Sequence, residues 1–120
     1  MEPITLEEYI LKHQNKPWNW GYLSMNPNIS LEFIDNNPRF EWNYTCISMN
    51  ENITLEYVLN NLNKKWDWGN LTSYIPINII ENTQALPWVL HELSLNETVT
   101  LEYINNHPEI NWNWGGYFIN

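Results

Sequence analysis

The chain has 120 residues, of which 43% are hydrophobic and 15% aromatic, and its 14 acidic and 5 basic side chains give a formal net charge of −9. This composition argues against a disordered chain, and the negative charge argues against nucleic acid and anionic membranes as partners, because both would repel it. The single cysteine, Cys46, cannot form an intramolecular disulfide or a cysteine-based zinc site, which favours a reducing compartment.

The N-terminal segment 1–8 is acidic and lacks the basic start and apolar stretch of a secretory signal. No apolar run approaches the roughly 20 residues of a membrane span. We therefore expect a soluble, intracellular protein.

Five tryptophans, separated by 24, 24, 22 and 24 positions, mark an internal repeat. They are Trp18, Trp42, Trp66, Trp88 and Trp112. The copies that they define run over 4–28, 29–52, 53–74, 75–98 and 99–120. Because the copies leave no room for another domain, the sequence predicts a single repeat domain over 1–120.

The first half of each copy predicts a short helix, as in ITLEYVLNN at 53–61. Its hydroxyl residue can cap the helix by accepting a hydrogen bond from a free backbone N–H group. An Asn such as Asn37, followed by Pro38, then ends the helix, since Asn tolerates left-handed backbone and Pro disfavours helix in the residue before it. The predicted caps of this half are Thr5, Ser30, Thr54 and Thr100. The third copy predicts one apolar stripe at helical spacing, formed by Leu55, Val58, Leu59 and Leu62.

The second half of each copy predicts another helix, with the pattern Trp-Asn/Asp-Trp-x-x-Leu-Ser. The Asn or Asp between the two aromatic residues is the candidate cap. The predicted caps of this half are Asn19, Asn43, Asp67 and Asn113. The predicted aromatic core consists of Trp18, Trp20, Trp42, Tyr44, Trp66, Trp68, Trp88, Trp112 and Trp114.

Together these halves predict an all-α fold, an α-solenoid of five helix–turn–helix repeats with about ten short helices. Each helix would have roughly 7 to 10 residues, or about 10 to 15 Å. Helices of that length are marginal alone, so each repeat has to bury its apolar faces against the copies before and after it.

Residues 17–34 read PWNWGYLSMNPNISLEFI, and related sequences recur in all five copies. This motif resembles the tryptophan-rich repeats of about two dozen residues found in many proteins of giant DNA viruses that infect amoebae. The resemblance implies a viral repeat protein and no particular biochemical activity.

The fourth copy departs from the pattern in four places, the first of which is an entry loop that is two residues shorter. Pro76 replaces the cap hydroxyl, Val89 replaces the Asn or Asp cap, and Leu90 replaces the second aromatic residue. Two interpretations stay open: drift under relaxed constraint, or a local change in the solenoid that shapes a site around His91 and Glu92.

No nucleophile or acid–base pair stands apart from the repeat pattern, so we expect neither an enzyme nor a metal or cofactor site. His13 and His107 share one repeat position near the end of the first helix, where a partly charged imidazole suits the helix dipole. Cys46 is interpreted as a buried or half-buried thiol.

Glutamates recur in the first turn of the first helix, where they complement the positive helix end. They are Glu7, Glu32, Glu56 and Glu102. Stacked repeats would align them into a row, which is either a solvated edge or a docking strip for a basic partner segment. A tryptophan platform for sugars or single-stranded bases is disfavoured by the regular spacing and the negative charge.

The last copy ends with no further unit to cover it. We expect Tyr117, Phe118 and Ile119 to stay partly uncovered and to mediate self-association or docking onto another protein.

The leading hypothesis is a non-catalytic protein–protein interaction scaffold that binds a viral or host protein in the infected-cell cytoplasm or the viral factory. One alternative is a virion structural component, either a minor capsid or a cement protein. Another is an acidic mimic of nucleic acid that occupies a basic host protein.

Overall fold

The computed structural model describes residues 4–113, and this part of the chain is helical, with no strand in it. The predicted all-helical class is therefore confirmed. The elements are α1 (Leu6–Lys12), α2 (Trp20–Met25), α3 (Leu31–Asn36), α4 (Tyr44–Ile47), α5 (Leu55–Leu59), α6 (Trp68–Tyr74), α7 (Ile77–Glu81), a 3₁₀ helix (Leu90–Leu95) and α8 (Leu101–Asn106). Each of the first four repeats holds two of these elements. The predicted second helix of the fifth repeat lies outside the described residues.

The chain divides into two compact units, Met1–Trp66 and Asp67–Asn120. The division falls inside the third repeat, after α5 and before α6. Across residues 4–113, none of the helices has the length and apolar character needed to cross a bilayer.

Two helices reach the lower end of the predicted 7 to 10 residues and the others are shorter, because caps stop them at both ends. The longest helices have seven residues and the shortest has four. At the N-terminal ends, seven predicted cap side chains accept a hydrogen bond of 3.0 or 3.1 Å from the backbone N–H three positions later. These caps are Thr5, Asn19, Ser30, Asn43, Thr54, Asp67 and Thr100.

The fourth repeat lacks such side-chain caps. Neither Pro76 before α7 nor Val89 before Leu90–Leu95 makes a side-chain cap hydrogen bond, and the second of these elements is a 3₁₀ helix. Loss of the Asn or Asp cap thus coincides with a tighter helix.

A side-chain cap of this kind is worth about 1 kcal/mol, so Thr54→Ala should lower the free energy of unfolding by about that amount. The reason is that Thr54 Oγ1 accepts the Tyr57 N–H at 3.1 Å. Urea unfolding followed by circular dichroism measures the change, and Thr54→Ser, which keeps the acceptor, is the matched control. An alanine variant as stable as the serine variant would contradict the prediction.

At the C-terminal ends, the five repeat tryptophans act as caps themselves. Each donates its indole N–H to the backbone carbonyl five residues earlier, at 2.8 to 3.0 Å. The acceptors are the carbonyls of His13, Asn37, Asn61, Thr83 and His107. These bonds satisfy carbonyls that the short helices leave without a partner in the helix.

The predicted left-handed helix ends are wrong. Within the described ranges no residue, glycine included, has a positive φ, and Asn37 has φ −132°. Asn37 and Asn61 instead donate their side-chain amides to the carbonyl four residues earlier, at 2.8 Å in both cases. A side-chain hydrogen bond therefore ends these helices without left-handed backbone.

The predicted apolar stripe of the third repeat is also wrong. Tyr57 and Val58 are buried, whereas Leu59 and Leu62 are 42% and 51% exposed. The physical reason is length: α5 is five residues long and makes little more than one turn, so that Leu62 lies beyond it.

Buried amide and hydroxyl groups join consecutive repeats in the first unit. Asn50 Nδ2 donates to the carbonyls of Ser24 and Asn26 at 2.9 and 3.0 Å. The exposed Asn52 adds a bond from its Nδ2 to the Pro27 carbonyl at 3.0 Å. Ser24 Oγ in turn accepts the Asn43 N–H at 3.0 Å. These bonds connect the first repeat to the second across 19 to 26 positions of sequence.

The second unit uses the same device. Asn96 Nδ2 donates to the carbonyls of Thr72 and Ile75 at 2.8 and 2.7 Å, and Thr72 Oγ1 accepts the Val89 N–H at 3.0 Å. Between residues 4 and 113, every buried side-chain nitrogen or oxygen has a hydrogen-bond partner. The polar groups inside the repeats therefore stabilise the packing of one repeat on the next.

Candidate functional site

The four recurring glutamates do not share one environment. Glu7 is half-buried, because its Oε2 accepts hydrogen bonds from the N–H and the hydroxyl of Ser30 at 2.7 and 2.9 Å. Glu32, Glu56 and Glu102 remain exposed in the first turns of α3, α5 and α8. Glu7 therefore joins the first repeat to the second, and the exposed acidic row of the first unit consists of Glu32 and Glu56.

These two glutamates stand on adjacent helices of the first unit. Tyr57 of α5 donates its hydroxyl to Asp35 Oδ1 of α3 at 2.8 Å, so the two helices are in contact. Burial, followed by the hydrogen bond to Asp35, raises the pKa of Tyr57 far above its ordinary value. The hydroxyl therefore stays protonated and the hydrogen bond between the helices persists across the physiological pH range.

In the first three repeats, the aromatic residue two positions after the repeat tryptophan packs against the tryptophan of the next repeat. Trp20 meets Trp42 edge-on at 5.1 Å and stacks on Phe40 at 4.7 Å between ring centroids. Tyr44 meets Trp66 edge-on at 5.4 Å. In the second unit Trp68 meets Trp88 in the same way, also at 5.4 Å.

In the fourth repeat this aromatic position is occupied by Leu90, and a cavity of about 450 Å³ lies beside it. Trp88 and Tyr103 contribute aromatic walls, and Ile110, at the repeat position of Phe40, contributes an apolar one. A leucine is smaller than the tryptophan or tyrosine of the other repeats, whose rings bury roughly 150–250 Å² each. A cavity of about 530 Å³ also lies beside Tyr44 at the equivalent boundary of the first unit, so the missing ring changes the lining of the space and does not by itself create it.

The charges at the cavity are negative. Glu81 and Glu109 line it, and both are exposed. Burial, together with the negative charges of Glu81 and Glu109, raises the pKa of Tyr103. The phenol therefore remains neutral, and the wall of the cavity presents an uncharged ring beside two carboxylates.

His107 also lines the cavity and is held in place. Its ring stacks on Tyr103 with centroids 3.9 Å apart, and its Nδ1 lies 2.9 Å from the Tyr103 carbonyl oxygen. His13 has the same ring contact in the first repeat, 4.2 Å from Tyr9. These contacts place both histidines at the ends of their helices, as the repeat position predicts.

Of the pair singled out in the fourth repeat, His91 lines this cavity and Glu92 lines an adjoining one. His91 Nε2 and Glu92 Oε1 lie 3.4 Å apart. The sequence did not identify Glu81 or Glu109 as site residues. A signal was present, since Glu109 occupies the repeat position at which the second repeat carries Arg39.

The predicted aromatic core is unevenly buried. Trp66 and Trp112 are buried, whereas the other described members are half-buried: Trp18, Trp20, Trp42, Tyr44, Trp68 and Trp88. Cys46 is half-buried, as expected from the sequence.

Several predicted residues fall at or beyond the end of the described part. Asn113 donates its N–H to Ser94 Oγ at 2.7 Å, but the helix that it was predicted to cap lies outside the described residues. The same holds for Trp114 and for the predicted self-association residues Tyr117, Phe118 and Ile119.

In the described part of the chain, no group of three or more His, Cys, Asp or Glu side chains is arranged to hold a metal ion. No family model, curated protein or solved structure matches the chain.

Proposed function

We propose that the chain is a viral, non-catalytic protein–protein interaction scaffold that binds a basic segment of another protein, viral or host. The exposure of Glu32 and Glu56 on the adjacent helices α3 and α5 is the observation that carries this proposal. Carboxylates held at one repeat position on neighbouring helices suit a ligand with positive charges along its length. The proposed place of binding is the infected-cell cytoplasm or the viral factory.

Two further features support a basic partner. The net charge of −9 attracts cationic segments at long range and speeds their encounter. Three residues after Glu56 on the same helix, the exposed side chain of Leu59 offers apolar contact area to the same partner. An amphipathic basic segment would use both the charges and the apolar area.

The proposal can be tested with variants of equal net charge. Affinity capture from infected cells, with quantitative mass spectrometry, would compare the wild type, Glu32→Gln/Glu56→Gln, and the control Glu8→Gln/Glu41→Gln. Both control residues are exposed acids outside the row. We expect a protein that the wild type and the control retain equally and that the row variant retains about fivefold less, on the order of 1 kcal/mol.

A partner held equally by all three proteins would show that the row does not bind it. The absence of any specifically retained protein would overturn the scaffold proposal itself. Higher salt should weaken the retained complex, because exposed charges are screened.

A further inference from the structure

We propose that the cavity beside Leu90 binds the side chain of an arginine in a partner protein. This inference rests on the proposed function, since it takes the arginine to come from a basic protein segment. It assigns the recognition to a different place, a cavity within the second unit, and it identifies the residue type that is recognised.

The first step is the comparison between equivalent positions. In the first unit, an arginine or a lysine of the chain itself lies over an aromatic ring at the equivalent boundaries between repeats. The Arg39 guanidinium carbon is 4.4 Å from the centre of the Phe40 ring, and Lys64 Nζ is 5.0 Å from that of Tyr44. At the boundary between the fourth and fifth repeats, Glu109 and Ile110 occupy the positions of Arg39 and Lys64, and the two rings are replaced as well, Phe40 by Ile110 and Tyr44 by Leu90. An aromatic face for a cation is therefore offered here by Trp88 and Tyr103.

The second step is the charge of the surroundings. From Asp67 to Asn120 the sequence contains six acidic residues and no lysine or arginine. The second unit therefore has no Lys or Arg of its own to offer the aromatic walls or the carboxylates of Glu81 and Glu109. An external cation meets attraction from both kinds of group.

The third step is the shape of the opening. Leu90 stands where a ring packs between repeats elsewhere, and the space beside it is bounded by Trp88, Tyr103 and Ile110. A planar guanidinium stacks on aromatic faces and presents several N–H donors to carboxylates, whereas an ammonium is compact and more strongly hydrated. The cavity therefore fits arginine better than lysine.

Nuclear magnetic resonance titration of the full chain is the test. The probes are Gly-Arg-Gly blocked at both ends, the corresponding Gly-Lys-Gly, a citrulline peptide of nearly equal shape but no charge, and free arginine. We expect the arginine peptide to shift the Trp88 indole signal and the amide signals of Leu90 and Ile110. The lysine peptide should bind several-fold more weakly, and the citrulline peptide should bind at least about tenfold more weakly.

Two variants locate the site. Leu90→Trp restores the ring of the other repeats, and it should abolish binding while leaving the thermal midpoint no lower than that of the wild type. Glu109→Gln should weaken binding about threefold, and Glu97→Gln, an exposed acid that does not line the cavity, should leave it unchanged.

Equal binding of the arginine and citrulline peptides, or of the arginine and lysine peptides, would overturn the assignment of a guanidinium. Shifts confined to other residues, or full binding by a folded Leu90→Trp variant, would overturn the site. Tighter binding of free arginine than of the blocked peptide would show that the ligand is a small molecule. None of these results depends on Glu32 or Glu56, so the scaffold proposal is tested separately.

Discussion

Trp66→Ala should lower the free energy of unfolding of the first unit by about 3–5 kcal/mol, the usual cost of removing a large buried aromatic side chain. Trp66 is 7% exposed. Its ring meets Tyr44 and Tyr57 edge-on, at 5.4 and 6.0 Å between centroids, and its Nε1–H donates to the Asn61 carbonyl at 2.8 Å. The substitution thus removes a helix cap and an inter-repeat contact together.

Two variants separate these contributions in urea unfolding followed by far-ultraviolet circular dichroism. Trp66→Phe keeps a ring but loses the N–H donor, and should cost about 1–2 kcal/mol beyond the change in ring size. Trp18→Ala removes the equivalent side chain where it is only half-buried, and should cost less than Trp66→Ala. If Trp66→Ala and Trp18→Ala were equally destabilising, stacking between repeats would not be a main source of stability.

Features that depend on residues close together in sequence could be predicted. The N-terminal caps are such features, because an Asn or Thr side chain reaches only the next turn of backbone, as Thr54 reaches Tyr57. The repeat itself was visible from the tryptophan spacing. The division of each of the first four repeats into two short helices followed from these two observations.

Contacts between repeats could not be read in the same way. The pattern marks Asn50 and Ser24 as recurring residues, but it does not say that one donates to the carbonyl of the other across 26 positions. Glu7 shows the same difficulty. Glu7 and Glu32 each lie two residues after a helix cap, yet Glu7 accepts hydrogen bonds from Ser30 of the next repeat, whereas Glu32 is exposed. An extra residue in the first helix moves Glu7 relative to Trp18.

The position of the candidate cavity could be predicted from the sequence, but its acidic lining could not. The replacement of an aromatic residue by Leu90 is evident from the repeat alignment, and it pointed to the fourth repeat. The negative wall was not evident, because Glu81 and Glu109 come from different repeats and meet only when the helices pack. Predicting which residues line a cavity between repeats therefore requires knowledge of how the repeats pack. The loss of an aromatic side chain, by contrast, can be read from the sequence alignment alone.

The buried Asn50 amide leads to the second large expected effect, for Asn50→Asp. Asn50 is 1% exposed, and its Nδ2 donates to the carbonyls of Ser24 and Asn26. Aspartate has nearly the same shape, but its carboxylate has no N–H to donate. Its second oxygen would be repelled by the carbonyl oxygens of Ser24 and Asn26, and its negative charge would be buried. We expect a loss of about 3–5 kcal/mol at neutral pH.

The pH dependence distinguishes this cause from simple loss of packing. Burial beside carbonyl oxygens raises the folded-state pKa of the new carboxyl above its unfolded value of about 3.9. The variant should therefore be most stable, relative to wild type, below that value and lose stability as the pH rises toward the folded-state pKa. Asn50→Ala, which removes the donors without adding charge, should be destabilised to the same extent at all pH values, and the exposed Asn63→Asp should change little. An Asn50→Asp deficit that is constant from acid to neutral pH would mean that the amide does not act as the donor between these repeats.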